Sequence, residues 1–251
     1  MVNLILVSHS KKLADGVAEM VQQMTSSNLV KIATAAGIGD QNHELGTNAV
    51  EIAEAMENLY TDAGILVLMD LGSAILSTEM ALDIIPSEMK SKIKICPAPF
   101  VEGAIAAGVQ ANMGSDLETV YQEAVNALKA KREQLGEQNN ELPDVEPAVE
   151  TPLPSDSQTR EVVLTIENAQ GLHARPAVLF VKTISSFDAT VKVKNLTENK
   201  GPVITRGLTS VMLLGARKGH QIHVSAEGPQ RNEVIDALID LVDKNFGESP
   251  E

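Results

Sequence analysis

Residues 136–159, GEQNNELPDVEPAVETPLPSDSQT, divide the chain. Four prolines, six acidic residues and no Lys or Arg leave this stretch without a periodic apolar face. A segment that buries so little apolar surface cannot offset the entropy cost of ordering, and it reads as a flexible acidic linker. The 251 residues are therefore expected to form two domains, 1–135 and 160–251. Charge follows the same division: nine basic and 17 acidic residues precede the linker, and 11 of each follow it. The first domain is thus acidic and the second neutral.

These numbers exclude several classes. A net charge of -14 disfavours nucleic-acid binding, which gathers Lys and Arg on one face. Cys96 is the single cysteine, so no disulfide can close within the chain. The N-terminus MVNLILVSHSKKL lacks the order of a signal peptide, and no apolar run approaches the roughly 20 residues that span a bilayer. The expected setting is a reducing, soluble, cytoplasmic one.

Residues 1–135 alternate short apolar runs with helical periodicity. VNLILVS is followed by KKLADGVAEMVQQM, with Leu13, Val17, Met20, Val21 and Met24 at helical spacing. The pattern recurs three times, through LVKIATAA, AGILVLMD and KIKICPAP and the helices after each, and ends in the helical stretch 116–135. Strands without polar alternation, separated by helices, predict a doubly wound α/β fold around a mainly parallel four-stranded sheet. Ligands of such sheets sit beyond the carboxyl ends of the strands. There the first strand ends in His9 and the third in Asp70. If those strands are neighbours, the two converge, and the carboxylate fixes the imidazole tautomer. The glycine-rich AAGIGDQNHELGT could wall the same crevice. No dinucleotide or P-loop glycine pattern is present.

Residues 160–251 read as βαββαβα, with alternating strands, and predict an α+β open-faced sandwich with helices on one side. Within it, NAQGLHARPAVLFVK places His173 at the start of a helix, with Gly171 permitting an unusual turn and Pro176 in the first helical turn. Unpaired N–H groups and the helix dipole favour an anion there, and Arg175 can add a charge-assisted bond to phosphoryl oxygens. The same field disfavours imidazolium, so a neutral, nucleophilic His173 is expected. The chemistry that suits such a histidine is phosphorylation.

GLHARPA resembles the active-site signature of HPr, the histidine phosphocarrier of the bacterial phosphoenolpyruvate:sugar phosphotransferase system, and the element order over residues 160–246 matches that family. The resemblance implies a phosphoryl group on a ring nitrogen of His173, stabilised by Arg175. Gly207 stands where many HPr proteins carry a regulatory serine, so control at that position is not expected. LILVSHS with His9, VLMDLGSAILSTEMAL with Asp70, and CPAPFVEGA resemble the mannose-type EIIA family, most closely the DhaM phosphoryl-transfer subunits of dihydroxyacetone kinases. This second resemblance implies that His9 is phosphorylated, that Asp70 assists it and that the domain forms a homodimer.

Together the resemblances imply a phosphohistidine relay. Phosphoenolpyruvate charges enzyme I, and the phosphoryl group passes through His173 or a free HPr to His9. From His9 it goes to ADP bound on the DhaL subunit, for dihydroxyacetone on DhaK. No cofactor or metal is expected in this chain itself. Some DhaM proteins continue into an enzyme-I-like region, and since this sequence stops at Glu251 a separate enzyme I is the expected donor. Two alternatives stay open: an EIIA component of a mannose-type permease, and a regulatory protein that senses phosphorylation state. A metal-dependent hydrolase using His9 and Asp70 would leave GLHARPA unexplained. His43 lies in a polar loop, where a surface role is expected ahead of one lining the His9 crevice, and His220 and His223 are expected on opposite faces of a strand, which argues against a shared metal.

Overall fold

The structure is a computed structural model that describes residues 1–25, 29–136 and 159–247. The chain resolves into two compact units, residues 1–128 and 129–251. The expected linker, residues 136–159, lies outside the described residues apart from Gly136 and Thr159.

In the first unit β1 (Asn3–Ser8), β2 (Ile32–Ala36), β3 (Ile65–Met69) and β4 (Ile93–Cys96) form one sheet in the order β2-β1-β3-β4, with every pairing parallel. All six residues of β1 and all five of β3 are buried, which is why neither shows polar alternation. Ile5, Val7, Ile65 and Val67 pack with Ile52 and Met56 of α2 (Ala49–Leu59) and Ala74 and Ala81 of α3 (Gly72–Ile84). The opposite face packs on α5 (Phe100–Asn112), which also meets α1 (Lys11–Thr25). That contact is close because position 108 has no side chain: a Cβ on Gly108 would lie 2.2 Å from Val21 Cγ1 and 3.6 Å from Leu4 Cδ1.

The helix expected over 116–135 is two helices, α6 (Leu117–Asn126) and α7 (Leu128–Gln134). Asn126 Nδ2 donates to the Gln122 carbonyl at 2.8 Å, and Ala127 N–H reaches back only three residues, to Ala124 O at 3.2 Å. A side chain competing for backbone acceptors tightens the turn and breaks the periodicity. The short α4 (Ser87–Lys90) and a 3₁₀ turn at Asp40–Asn42 carry no sequence signal that the periodicity reading detects.

The second unit follows the expected βαββαβα order: β5 (Arg160–Thr165), α8 (Ala174–Ser185), β6 (Thr190–Asn195), β7 (Lys200–Ile204), α9 (Leu208–Leu213), β8 (Gln221–Glu227) and α10 (Arg231–Asp243). Its antiparallel sheet runs β5-β8-β6-β7. Val191, Val193, Ile222, Val224 and Ala226 are buried, and α10 packs on β5 and β8. On the other face Val163 is exposed and His223 Nε2 lies 3.3 Å from Glu161 Oε2. The sheet is open on one side, as expected.

Candidate functional sites, one in each unit

Because β1 and β3 pair directly, Val7 with Met69 in register, their carboxyl ends bring His9 and Asp70 together. Asp70 is nearly buried and accepts hydrogen bonds from His9 Nδ1 at 3.0 Å, the His9 backbone N–H at 2.9 Å, the Ser8 hydroxyl at 2.9 Å and the Leu71 N–H at 2.7 Å. Burial alone would raise the Asp70 pKa, but the His9 ring, the His9 and Leu71 N–H groups and Ser8 together hold it below the ordinary 3.8. An ionised carboxylate only accepts, so in the neutral ring the proton resides on Nδ1. The lone pair is then on Nε2.

Ser73 Oγ lies 2.8 Å from that Nε2. The sequence reading missed Ser73, although the LGS after Asp70 holds the signal: a hydroxyl in the first turn of a helix that starts immediately after a site carboxylate. Ser73 and Gly72 open α3, where backbone N–H groups have no intrahelical partner, so the ring nitrogen points at a helix N-terminus. The loop between β2 and α2 forms the other wall. Gly37 N–H donates to Ser8 O at 3.2 Å and Gly46 N–H to His9 O at 3.0 Å, while Thr47 Oγ and Ser77 Oγ are 2.7 Å apart. Leu45 and Leu71, both exposed, flank the site. His43 is exposed at the end of the 3₁₀ turn and makes no hydrogen bond to His9.

In the second unit His173 is the N-cap residue of α8. The Ala177 N–H already donates to His173 O at 2.9 Å, and Pro176 has no N–H. The helix therefore offers the N–H groups of Ala174 and Arg175. Gly171 has φ 68°, and the Leu172 N–H donates to Ala216 O at 2.8 Å. The His173 loop is thereby tied to the segment that follows α9. Arg175 is exposed and forms no ion pair among the described residues. His220 Nδ1 lies 3.2 Å from Asn195 Nδ2, whereas His223 faces Glu161, so the two histidines serve different surroundings. No group of three or more His, Cys, Asp or Glu suited to a metal occurs among the described residues. Among them no helix is long and apolar enough to cross a membrane.

Residues 3–121 match the family described as the PTS system fructose IIA component, and residues 160–244 match the PTS HPr component phosphorylation site. A curated relative from Listeria innocua, the phosphoryl donor subunit DhaM of a PEP-dependent dihydroxyacetone kinase 2, is 40% identical over 126 residues, half of this chain and 98% of the relative. The chain belongs to the DhaM family. The Escherichia coli DhaM is 41% identical over 254 residues, covering all of this chain but 52% of the relative. The chain thus spans about half the length of the longer DhaM relatives. A crystal structure of HPr from Thermoanaerobacter tengcongensis is 42% identical over 36% of the chain and 99% of its own, with a TM-score of 0.34. In this DhaM-family chain His9, Asp70 and Ser73 lie in the part similar to IIA components, and His173 and Arg175 in the part similar to HPr.

Proposed function

We propose that the chain relays phosphoryl groups between histidines in a phosphoenolpyruvate-dependent dihydroxyacetone kinase. Enzyme I, charged by phosphoenolpyruvate, donates to His173 or to a free HPr. His9 receives the group and delivers it to ADP bound on a DhaL subunit, and the resulting ATP serves dihydroxyacetone on DhaK. The observation that carries this reading is the His9 ring, with Nδ1 pinned by Asp70 and Nε2 presented to Ser73 and the start of α3. Family membership supports it, since the curated relatives are named as phosphoryl donor subunits.

At His9 the Nε2 lone pair attacks phosphorus as the bond from phosphorus to the donor nitrogen breaks in line, the donor leaving with its electron pair. Asp70 balances positive charge that builds on the ring, and its bond to Nδ1 keeps Nε2 unprotonated beforehand. The Ser73 hydroxyl, which caps Nε2 in the resting site, turns to a phosphoryl oxygen, beside the Gly72 and Ser73 N–H groups. The protein supplies position and fixed dipoles more than covalent chemistry. At His173 the corresponding donors are the first turn of α8 and Arg175. The segment 136–159 tethers the two histidine-bearing units and raises their effective concentration for each other.

Two further parts of the reading concern context. A cytoplasmic setting is where phosphoenolpyruvate and enzyme I are available. A homodimer through the first unit accounts for α3, which buries small residues, Ala74, Thr78 and Ala81, and exposes large ones, Leu76 at 64%, Met80 at 61% and Ile84 at 54%. That inversion supports the reading of a face covered in an assembly.

The test is phosphorylation with phosphoenolpyruvate and enzyme I, with and without HPr, on the wild type, His9→Ala and His173→Ala, with acid-labile phosphate mapped by mass spectrometry. Label at both sites, and its discharge from His9 by DhaL with ADP, is the expected result. Discharge of His9 to an EIIB protein, with none to DhaL and ADP, would sink the kinase assignment.

A further inference from the structure

We propose that Arg217, which follows α9, is a second phosphoryl-binding residue of the His173 site. This assignment rests on the reading of His173 as a phosphoryl carrier and adds a group that the GLHARPA motif does not contain. Its basis is an unusually close backbone contact. A Cβ built on Gly171 would lie 2.3 Å from Ala216 O and 2.6 Å from Arg217 Cα, so the bare Gly171 backbone is what lets this segment touch the His173 loop. The 2.8 Å hydrogen bond from Leu172 N–H to Ala216 O holds it there. Gly171 and His173 are two residues apart, a span of at most roughly 7 Å. A side chain as long as arginine, rooted against Gly171, can therefore bring its guanidinium to the imidazole.

The donor supply at His173 leaves a place for it. A phosphoryl group presents three strong acceptor oxygens. The helix end contributes two backbone N–H groups, because Pro176 has none and the Ala177 N–H is already bonded to His173 O. The His173 N–H is also engaged, with Gly171 O at 2.8 Å. Arg175 adds one guanidinium from the helix. Arg217 is exposed, its carbonyl accepts from the His220 N–H at 3.0 Å but its side chain makes no ion pair or hydrogen bond among the described residues, and it belongs to a separate stretch of chain. A planar guanidinium fork binds phosphate through two parallel N–H···O bonds, which a point charge cannot reproduce. During transfer the bond from phosphorus to a ring nitrogen of His173 forms as the bond to the donor nitrogen breaks. Arg217 keeps its protons throughout and stabilises the oxygens.

The experiment uses the full chain carrying His9→Ala, so that His173 is the one acceptor. It is charged by phosphoenolpyruvate and enzyme I, then freed of both. The half-life of the phosphohistidine and its ³¹P chemical shift are measured for Arg217, Arg217→Ala, Arg217→Lys and the neighbouring Lys218→Ala. Arg217→Ala is expected to shorten the half-life about fivefold or more and to move the ³¹P resonance. Arg217→Lys should recover part of the effect, and Lys218→Ala should leave both readings as they are, with equal melting temperatures for all. A chain in which His173 is charged normally but Arg217→Ala matches the wild type overturns this assignment alone. Absence of label on His173 in the parent chain overturns the carrier reading and this assignment with it.

Discussion

Asp70 holds His9 at two points, the ring Nδ1 at 3.0 Å and the backbone N–H at 2.9 Å, so that one carboxylate sets both the tautomer and the placement of the imidazole. Asp70→Asn would keep the shape and lose the acceptor-only character. An amide can donate to Nδ1, which moves the ring proton to Nε2 and blocks the nucleophile. Phosphorylation of His9 should fall by roughly 10²–10⁴-fold. Rapid-quench labelling would show it, and a rate within threefold of wild type would refute the tautomer argument.

The lowered Asp70 pKa also makes a pH prediction. Its charged form is favoured by folding, so its contribution to stability is complete above the unfolded value of 3.8 and disappears as pH falls through the lower folded value. The gap between the urea midpoints of wild type and Asp70→Asn should persist down to pH 5 and close only below about pH 4. A gap that closes near pH 6 would point to another group.

Ser73→Ala removes the hydroxyl at 2.8 Å from Nε2 but neither the histidine nor the carboxylate. One hydrogen bond to a phosphoryl oxygen, worth about 1–2 kcal/mol, corresponds to roughly a 5–30-fold loss of phosphohistidine stability. The lifetime of the His9 phosphoryl group in the isolated chain is the measurement, and an unaltered lifetime would remove Ser73 from the site.

Gly171→Ala should act on folding and on chemistry at once. The new Cβ meets Ala216 O and Arg217 Cα at 2.3 and 2.6 Å, at a φ of 68° that disfavours side chains. Clash and strain together should cost the second unit roughly 2–4 kcal/mol. Denaturant unfolding of the full chain should show one weakened transition and one unchanged.

Met80→Glu tests the exposed face of α3, where Leu76, Met80 and Ile84 line one side of the helix. A buried charge at the centre of a two-copy interface should raise the dissociation constant by about 30-fold or more. Light scattering across a dilution series would read it. A wild type that remains monomeric at all concentrations would assign this face to some other partner.

Much of this molecule is local in origin and was readable residue by residue. Runs such as LILVS and ILVLM signal buried strands because both faces are covered, and helical spacing follows from one amphipathic turn after another. His9, Asp70, His173 and Arg175 could be singled out because strand ends and helix starts are where backbone groups remain unpaired. Local competition also misled: the Asn126 side chain breaks a helix that periodicity alone runs through. What the tertiary structure decided is which distant segments meet. The order β2-β1-β3-β4 joins His9 to Asp70 across 61 residues, and the same closure puts Ser73 on Nε2. The contact between Gly171 and Arg217 depends on a backbone approach that no pattern of residue types encodes. Periodicity records which face of an element is buried. The neighbour across that face is chosen only when the whole core packs, because that choice depends on complementary shape summed over many side chains.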